Sequence, residues 1–257
     1  MIIRKTPAEI ELMNRANEIV HLVHDEMRAM LAPGVSTLDL DRRAEEVVRD
    51  HGGIPAFLGY NGFPATLCTS INDVIVHGIP SAEQKLEEGD IIGIDCGVFF
   101  KGYCGDSAVT LGVGEISEEA RHLLDVTEAS LDRAIEAVRP GSHVSDIGHA
   151  VQTWVEAHGL TIVRDFVGHG IGSAMHEDPQ IPNFGEPGRR EKLKPGMVLA
   201  IEPMVNVGSA GVKVDADGWT ARTADGSLSA HFEYSVAVTE RGSRVLGTVP
   251  ERLSATA

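Results

Sequence analysis

The sequence predicts an α/β (α+β) fold in which two copies of one turn–helix–strand unit are joined with pseudo-two-fold symmetry, helices covering one face of an antiparallel sheet. Three observations predict it. First, "APGVSTLDLDRRAEEVVRDHG" (32–52) aligns with "RPGSHVSDIGHAVQTWVEAHG" (139–159), matching Pro33/Pro140, Gly34/Gly141, Asp39/Asp146, His51/His158 and Gly52/Gly159. Second, "KLEEGDIIGID" (85–95) aligns with "KLKPGMVLAIE" (192–202) at the same offset of 107, so that Asp95 and Glu202 end equivalent blocks. Third, each unit opens on a Pro-Gly turn, continues with helical apolar spacing, and closes at His-Gly before a β-branched run. Two copies are too few for a solenoid, so they belong to one domain, 1–257, with the repeat at about 32–113 and 139–240.

Each element has a local cause. In "TPAEIELM" Thr6 caps a helix, Pro7 takes its first position, and Glu9 stands three residues after the cap. The first repeat places Leu40, Ala44, Val47 and Val48 on one helical face. "DIIGIDCGVFF" then reads as a strand; 91–98 and 103–111 form a hairpin around a turn near Phe100–Lys101. A third helix runs from about Ser117 to Val138 into the second repeat. There "MVLAIEPMV" (197–205) and "HFEYSVAVT" (231–239) are a second candidate strand pair.

Composition narrows the function. Net charge is −16, with 22 basic against 38 acidic residues, which excludes a nucleic-acid surface. No run approaches 18 apolar residues, so no membrane span is expected. "MIIRKTPAEIELM" lacks the apolar core of a secretory signal. Cys68, Cys96 and Cys104 form no CxxC pair and read as reduced thiols, so the expected compartment is the cytoplasm. No apolar helix face demands a partner, and a monomer is expected.

Asp95 and Asp106 raise the chemical question, because carboxylates within β-branched, Gly-rich strands are costly to bury unpaired. In the expected hairpin they fall opposite each other within a residue, about 5 Å apart on one face. Glu202 joins them by symmetry, and Glu233 sits between Phe232 and Tyr234 ahead of an alternating strand. His169 lies between glycines in "FVGHGIG", His176 follows in "MHEDPQIPNF", and His77 precedes Gly78 in "VIVHGIP". Each histidine alone reads as a hydrogen-bonded residue of core or surface. His21, His24, His122, His143 and His149 read as helix-surface residues. Four carboxylates and one imidazole together make a mostly oxygen site suited to Mn²⁺, Fe²⁺ or Co²⁺. Four acids overcharge one cation but balance two, which, about 3.5–4 Å apart, activate a water between them.

"GIDCG", "GYCGDSAVT", "GHGIG", "MHEDPQIPNF", "AIEPM" and "FEYSVAVT", in this order, resemble type I methionine aminopeptidase; "SINDVIVHGIP" is similar to that family's stretch ahead of the first ligand. The resemblance runs from "RKTPAEIELM" to "VAVTERG". It implies the pita-bread fold, with a curved sheet, a central dimetal site and two divalent cations (Mn, Fe, Co or Zn). It implies removal of the initiator methionine from nascent polypeptides with a small second residue, together with transient ribosome association. Asp95, Asp106, His169, Glu202 and Glu233 would be the ligands, with Asp106 and Glu233 bridging and Glu202 also the general base. His176 would hydrogen-bond the scissile carbonyl, and His77 would contact the substrate nitrogen. Tyr60, Phe63, Cys68 and Trp219 would line the methionine slot, with Phe57 and Met175 at its rim. The chain departs from the family's common choices at Asn61 (often His), Phe63 (often Tyr) and Met175 (often Phe).

Three rivals are weighed. A prolidase carries a sizeable extra N-terminal domain, whereas only 94 residues precede Asp95 here, and "GYNGFPATLC" matches the methionine enzymes better. A metal-free ribosome- or RNA-binding relative loses ligands and gains basic extensions. A two-metal phosphatase or nuclease wants phosphate-gripping cations, and only Lys101 is near the acids in sequence. The spacings between His169, Glu202 and Glu233 leave no room for the helical insertion of the type II enzymes, and no zinc-finger extension precedes the domain.

Overall fold

The structure, a computed structural model, describes residues 1–247; the end of the expected 1–257 domain lies outside the described residues. The first half contains helices α1 (Pro7–Met30) and α2 (Thr37–Asp50), then strands β1 (Ile54–Pro55), β2 (Leu67–Ile71), β3 (Val74–Val76), β4 (Ile91–Phe100) and β5 (Tyr103–Gly112). Helices α3 (Glu118–Ala137) and α4 (Val144–Ala157) follow. The second half continues with β6 (Thr161–Ile162), β7 (Gly168–Gly170), β8 (Glu177–Ile181), β9 (Val198–Ile201) and β10 (Met204–Asn206). It ends with β11 (Val212–Val214), β12 (Ala221–Thr223), β13 (Ser229–His231), β14 (Glu233–Thr239) and β15 (Gly242–Val245).

The caps act as the sequence predicts. Thr6 and Glu9 close a reciprocal capping box on α1, Ser36 accepts from Asp39 N on α2, and Ser117 accepts from Ala120 N on α3. These side chains satisfy N–H groups that a helix start otherwise leaves unpaired.

A nine-stranded antiparallel sheet runs β1-β4-β5-β14-β9-β7-β8, with β2 added on β4 and β15 on β14. Two three-stranded sheets, β13-β10-β6 and β11-β12-β3, flank it. Strand alternation sorts the large sheet's two faces. Ile92, Ile94, Cys96 and Val98 of β4, Val109 and Leu111 of β5, and Val236 and Val238 of β14 join one core with residues of all four helices. The opposite face carries Asp95, Asp106 and Glu233, and beside them a smaller cluster including Phe57, Phe63, Cys68 and Met175.

Elements recur at the offset of 107. The bounds of α2 and α4, and of β1 and β6, differ by that number. So do the isolated bridges Ser36–Lys85 and His143–Lys192.

Three expectations need correction. The β4–β5 turn is Lys101–Gly102, both at positive φ, and it pairs Asp95 with Ala108 and Gly97 with Asp106. The two aspartates are therefore diagonal neighbours two residues apart on one face, because the two-residue turn sets the register. "MVLAIEPMV" is not one strand: it breaks at Glu202–Pro203, β9 staying in the large sheet and β10 joining another. Pro203 has no N–H to continue a ladder. His24 is buried at 3% exposure rather than on the surface, and desolvation pushes its pKa down to about 3.

Candidate metal centre and substrate cavity

All thirteen residues singled out in the sequence line one cavity of about 290 Å³. Asn61 is its remaining wall residue, held at positive φ in the short helical turn Tyr60–Gly62.

The acids reach it from separate strands. Asp95 lies mid-β4 and Asp106 mid-β5, Glu233 opens β14, and Glu202 sits at the β9–β10 break. β14 pairs with both β5 and β9, through Glu233↔Ala108 and Tyr234↔Ile201, and so draws the two halves together at the acids. His169 comes from the short strand β7, where a Cβ on Gly168 would collide with Ala200 O and one on Gly170 with Asp178 O. Both flanking residues must therefore be glycine for β7 to pack this tightly.

His169 Nδ1 lies 3.0 Å from the Gly170 carbonyl, which can only accept. Nδ1 thus carries the hydrogen, and Nε2 presents its lone pair to the acids, the arrangement of a metal-ligating imidazole. Nε2 is 3.6 Å from Glu202 Oε1. Ligand atoms of Asp106, His169 and Glu233 all fall within 4.8 Å of one another.

The cavity lining offers the acids neither an ammonium nor a guanidinium. Among the described residues lining the cavity none is Lys or Arg. Asp95 Oδ1, Asp106 Oδ1 and Glu233 Oε1 are buried without a hydrogen-bond partner. Burial holds the Asp95 pKa up at about 7, with His231 pulling it down and Glu202 pushing it up. Burial first, and then repulsion within the cluster, drives Asp106 and Glu233 well above the carboxylate range. Buried oxygens without donors, crowded until their protons are retained, are what divalent cations satisfy. The donor set fits the two ions that the sequence led us to expect.

The rest of the cavity is of another character. Phe63 and Trp219 meet edge to face at 5.2 Å, and Cys68 stands opposite Asp95 on β2. Phe57 and Met175, expected at the rim, are buried in the wall at 8% and 3% exposure. Tyr60 is the exposed aromatic; its hydroxyl lies 2.8 Å from His176 Nδ1 and its ring stacks on the imidazole. Partial burial and then the adjacent His169 push the His176 pKa down to about 4, so its ring is neutral at neutral pH. His77 sits at positive φ (62°), a conformation costly for any residue but glycine. Its ring packs edge-on to Phe166 and Trp219, and burial lowers its pKa.

Sequence reading missed His231, which faces Glu202 Oε2 at 3.6 Å. The signal was present: in "HFEYSVAVT" His231 lies two residues from Glu233, the spacing of one strand face.

Residues 11–240 match metallopeptidase family M24. The chain belongs to this family. Among curated M24 relatives, methionine aminopeptidase 1 of Bacillus subtilis is 51% identical over 249 residues, 97% of this chain and 100% of that protein. The methionine aminopeptidase of Clostridium acetobutylicum is 51% identical over 246 residues, covering 96% and 98%. The crystal structure of methionine aminopeptidase from Thermotoga maritima superposes with a TM-score of 0.95 at 44% identity, covering 97% of this chain and 100% of that one. A prolidase from Pyrococcus furiosus, 24% identical with a TM-score of 0.77, covers 96% of this chain but 66% of its own, and shares the fold alone. The M24 architecture here is the pita-bread fold.

Proposed function

We propose that this chain is a metal-dependent methionine aminopeptidase. It removes the N-terminal methionine from nascent polypeptides and favours a small second residue. One observation carries the reading: a cavity lined by four carboxylates and His169, lacking any Lys or Arg among its described lining, together with an aromatic and sulfur-bearing wall. A thioether packs well against such a wall. The high identity to proteins named methionine aminopeptidase over nearly their whole length supports it. We further propose one domain with an internal repeat, acting as a cytoplasmic monomer that meets nascent chains transiently at the ribosome. Among the described residues no helix is long and apolar enough to cross a membrane.

In this reading Asp95, Asp106, His169, Glu202 and Glu233 would hold two divalent cations of the Mn, Fe, Co or Zn group, Asp106 and Glu233 being shared ligands. The bound pair supplies a nucleophilic water at neutral pH and polarises the scissile carbonyl. Glu202 accepts the water's proton. His176, neutral and held at Nδ1 by the Tyr60 hydroxyl, presents Nε2–H to the carbonyl oxygen as negative charge develops there. His77 contacts the substrate nitrogen and helps the proton taken up by Glu202 pass to the leaving amine. Phe63, Cys68 and Trp219 take the methionine side chain, closed in by Phe57, Met175 and Tyr60.

The deciding experiment compares hydrolysis of Met-Ala-Ser, Leu-Ala-Ser and an Xaa-Pro peptide after chelation, with Mn²⁺, Co²⁺, Fe²⁺ or Zn²⁺ restored singly. Metal-dependent cleavage of the methionine peptide alone is expected. Preference for the Xaa-Pro bond would move the chain to the prolidase branch, and no cleavage with any ion would overturn the enzymatic reading. Tyr60→Phe should lower kcat about tenfold, the worth of one hydrogen bond. Its melting temperature should not change. An unaltered kcat would leave Tyr60 as a wall residue only.

A further inference from the structure

These roles leave one buried nitrogen beside the acids without a task. His231 ends β13 at 4% exposure, and its Nε2 has no hydrogen-bond partner. Nε2 lies 3.6 Å from Glu202 Oε2, while His169 Nε2 lies 3.6 Å from Glu202 Oε1. The Glu202 carboxylate therefore stands between two imidazoles, each addressing one oxygen.

Both backbones are held, and the question is what orients the Glu202 carboxylate. His231 N–H donates to Thr110 Oγ1 at 2.9 Å, its carbonyl accepts from the same hydroxyl at 2.8 Å, and it pairs with Met204 across β10. Glu202 lies between β9 and β10, where Pro203 interrupts the ladder; its carbonyl accepts from Asn183 Nδ2 at 2.9 Å, and that bond leaves the orientation of the carboxylate to its neighbours. A carboxylate that must both hold a cation and accept a proton needs its orientation supplied by a neighbour.

We propose that His231 is a positioning residue for Glu202: its Nε2–H donates to Oε2 and keeps Oε1, the oxygen beside His169, turned to the metal site. The present separation exceeds a hydrogen bond of roughly 2.7–3.2 Å, and rotation about the soft terminal torsion of Glu202 closes it. Donation fits better than ligation. Among the described residues the cavity lining includes all five proposed ligands but not His231, which meets the cluster through Glu202 Oε2. The inference rests on the reading of Glu202 as ligand and base.

The test uses the full chain, chelated and titrated calorimetrically with Mn²⁺, alongside Met-Ala-Ser kinetics. His231→Leu fills the space without a donor; His231→Gln returns an N–H close to the Nε2 position. His231→Leu should weaken Mn²⁺ binding and lower kcat by about 10–100-fold each, with KM little changed because substrate is not touched. His231→Gln should recover most of both. Wild-type values in His231→Leu would overturn the proposal, as would a His231→Gln variant no better than His231→Leu. Should His231→Leu fail to show a cooperative melt, His231→Met replaces it in the same comparison. Wild-type protein that neither binds Mn²⁺ nor cleaves the peptide overturns the underlying site reading. Indifferent variants of an active wild type overturn only the positioning role.

Discussion

Asp106→Asn is expected to lower turnover of Met-Ala-Ser by more than about 10³-fold, beyond the roughly 10–100-fold typical of removing a residue that merely supports a metal ligand. Asp106 is 4% exposed, and its Oδ1 has no partner. Asparagine keeps the shape but deletes a charge from the proposed metal site and offers an amide in place of an anionic oxygen. Mn²⁺ affinity should fall with activity. The fold should survive, because the local backbone bonds do not use the carboxylate: Asp106 N–H donates to Ser235 Oγ, and the Asp106 carbonyl accepts from that hydroxyl. Burial, then Asp95 and Glu202, hold the Asp106 pKa high, so the metal-free variant sheds repulsion and should melt no lower than the metal-free parent. Calorimetric titration, kinetics and thermal melting on one preparation check all three. Undiminished activity would remove Asp106 from the metal site.

Metal removal should invert the pH dependence of stability. In the metal-free protein burial raises Asp95 to about 7 and drives Asp106 and Glu233 well above the carboxylate range, all above their unfolded values. Through these carboxyls the folded state binds more protons than the unfolded state between about 4 and 7. His24, His77 and His176, all lowered, oppose this below about 6.5, so the net excess is clearest between about 6.5 and 7. A raised folded pKa gives stability that is present below the unfolded pKa and lost as pH rises through the folded one. The chelated protein should thus melt higher at pH 6.5 than at pH 8. Cations reverse the sign, because protons compete with them for the same oxygens. At pH 8, Mn²⁺ at 100 times its Kd should add about 2.7 kcal/mol, or roughly 5–10 °C for a domain of this size. That gain should shrink on acidification below 7. Equal melting curves with and without chelator at pH 8 would contradict a metal-filled cluster.

Much of this was legible in the chain alone. Capping at Thr6, Ser117 as the start of α3, and the offset that carries Asp95 onto Glu202 all follow from nearest-neighbour chemistry and repetition, which need no tertiary information. The wall residues came from resemblance rather than from pattern, since an aromatic in a slot and an aromatic in a core have the same local signature.

What the sequence determined by itself was the set of groups: four carboxylates, the histidines, and a repeat that brings them from two halves. Composition, turn chemistry and strand period are local properties, and they are written residue by residue. What only the tertiary structure decided was how those groups meet. The two-residue Lys101–Gly102 turn set Asp95 and Asp106 on a diagonal. Pro203 split one apolar run between two sheets and left Glu202 at the break, while Thr110, from a strand more than a hundred residues away, fixed His231 beside it. Register, desolvation and the direction of a lone pair depend on partners distant in sequence, and burial by those partners is what turns four ordinary carboxylates into a site that calls for cations.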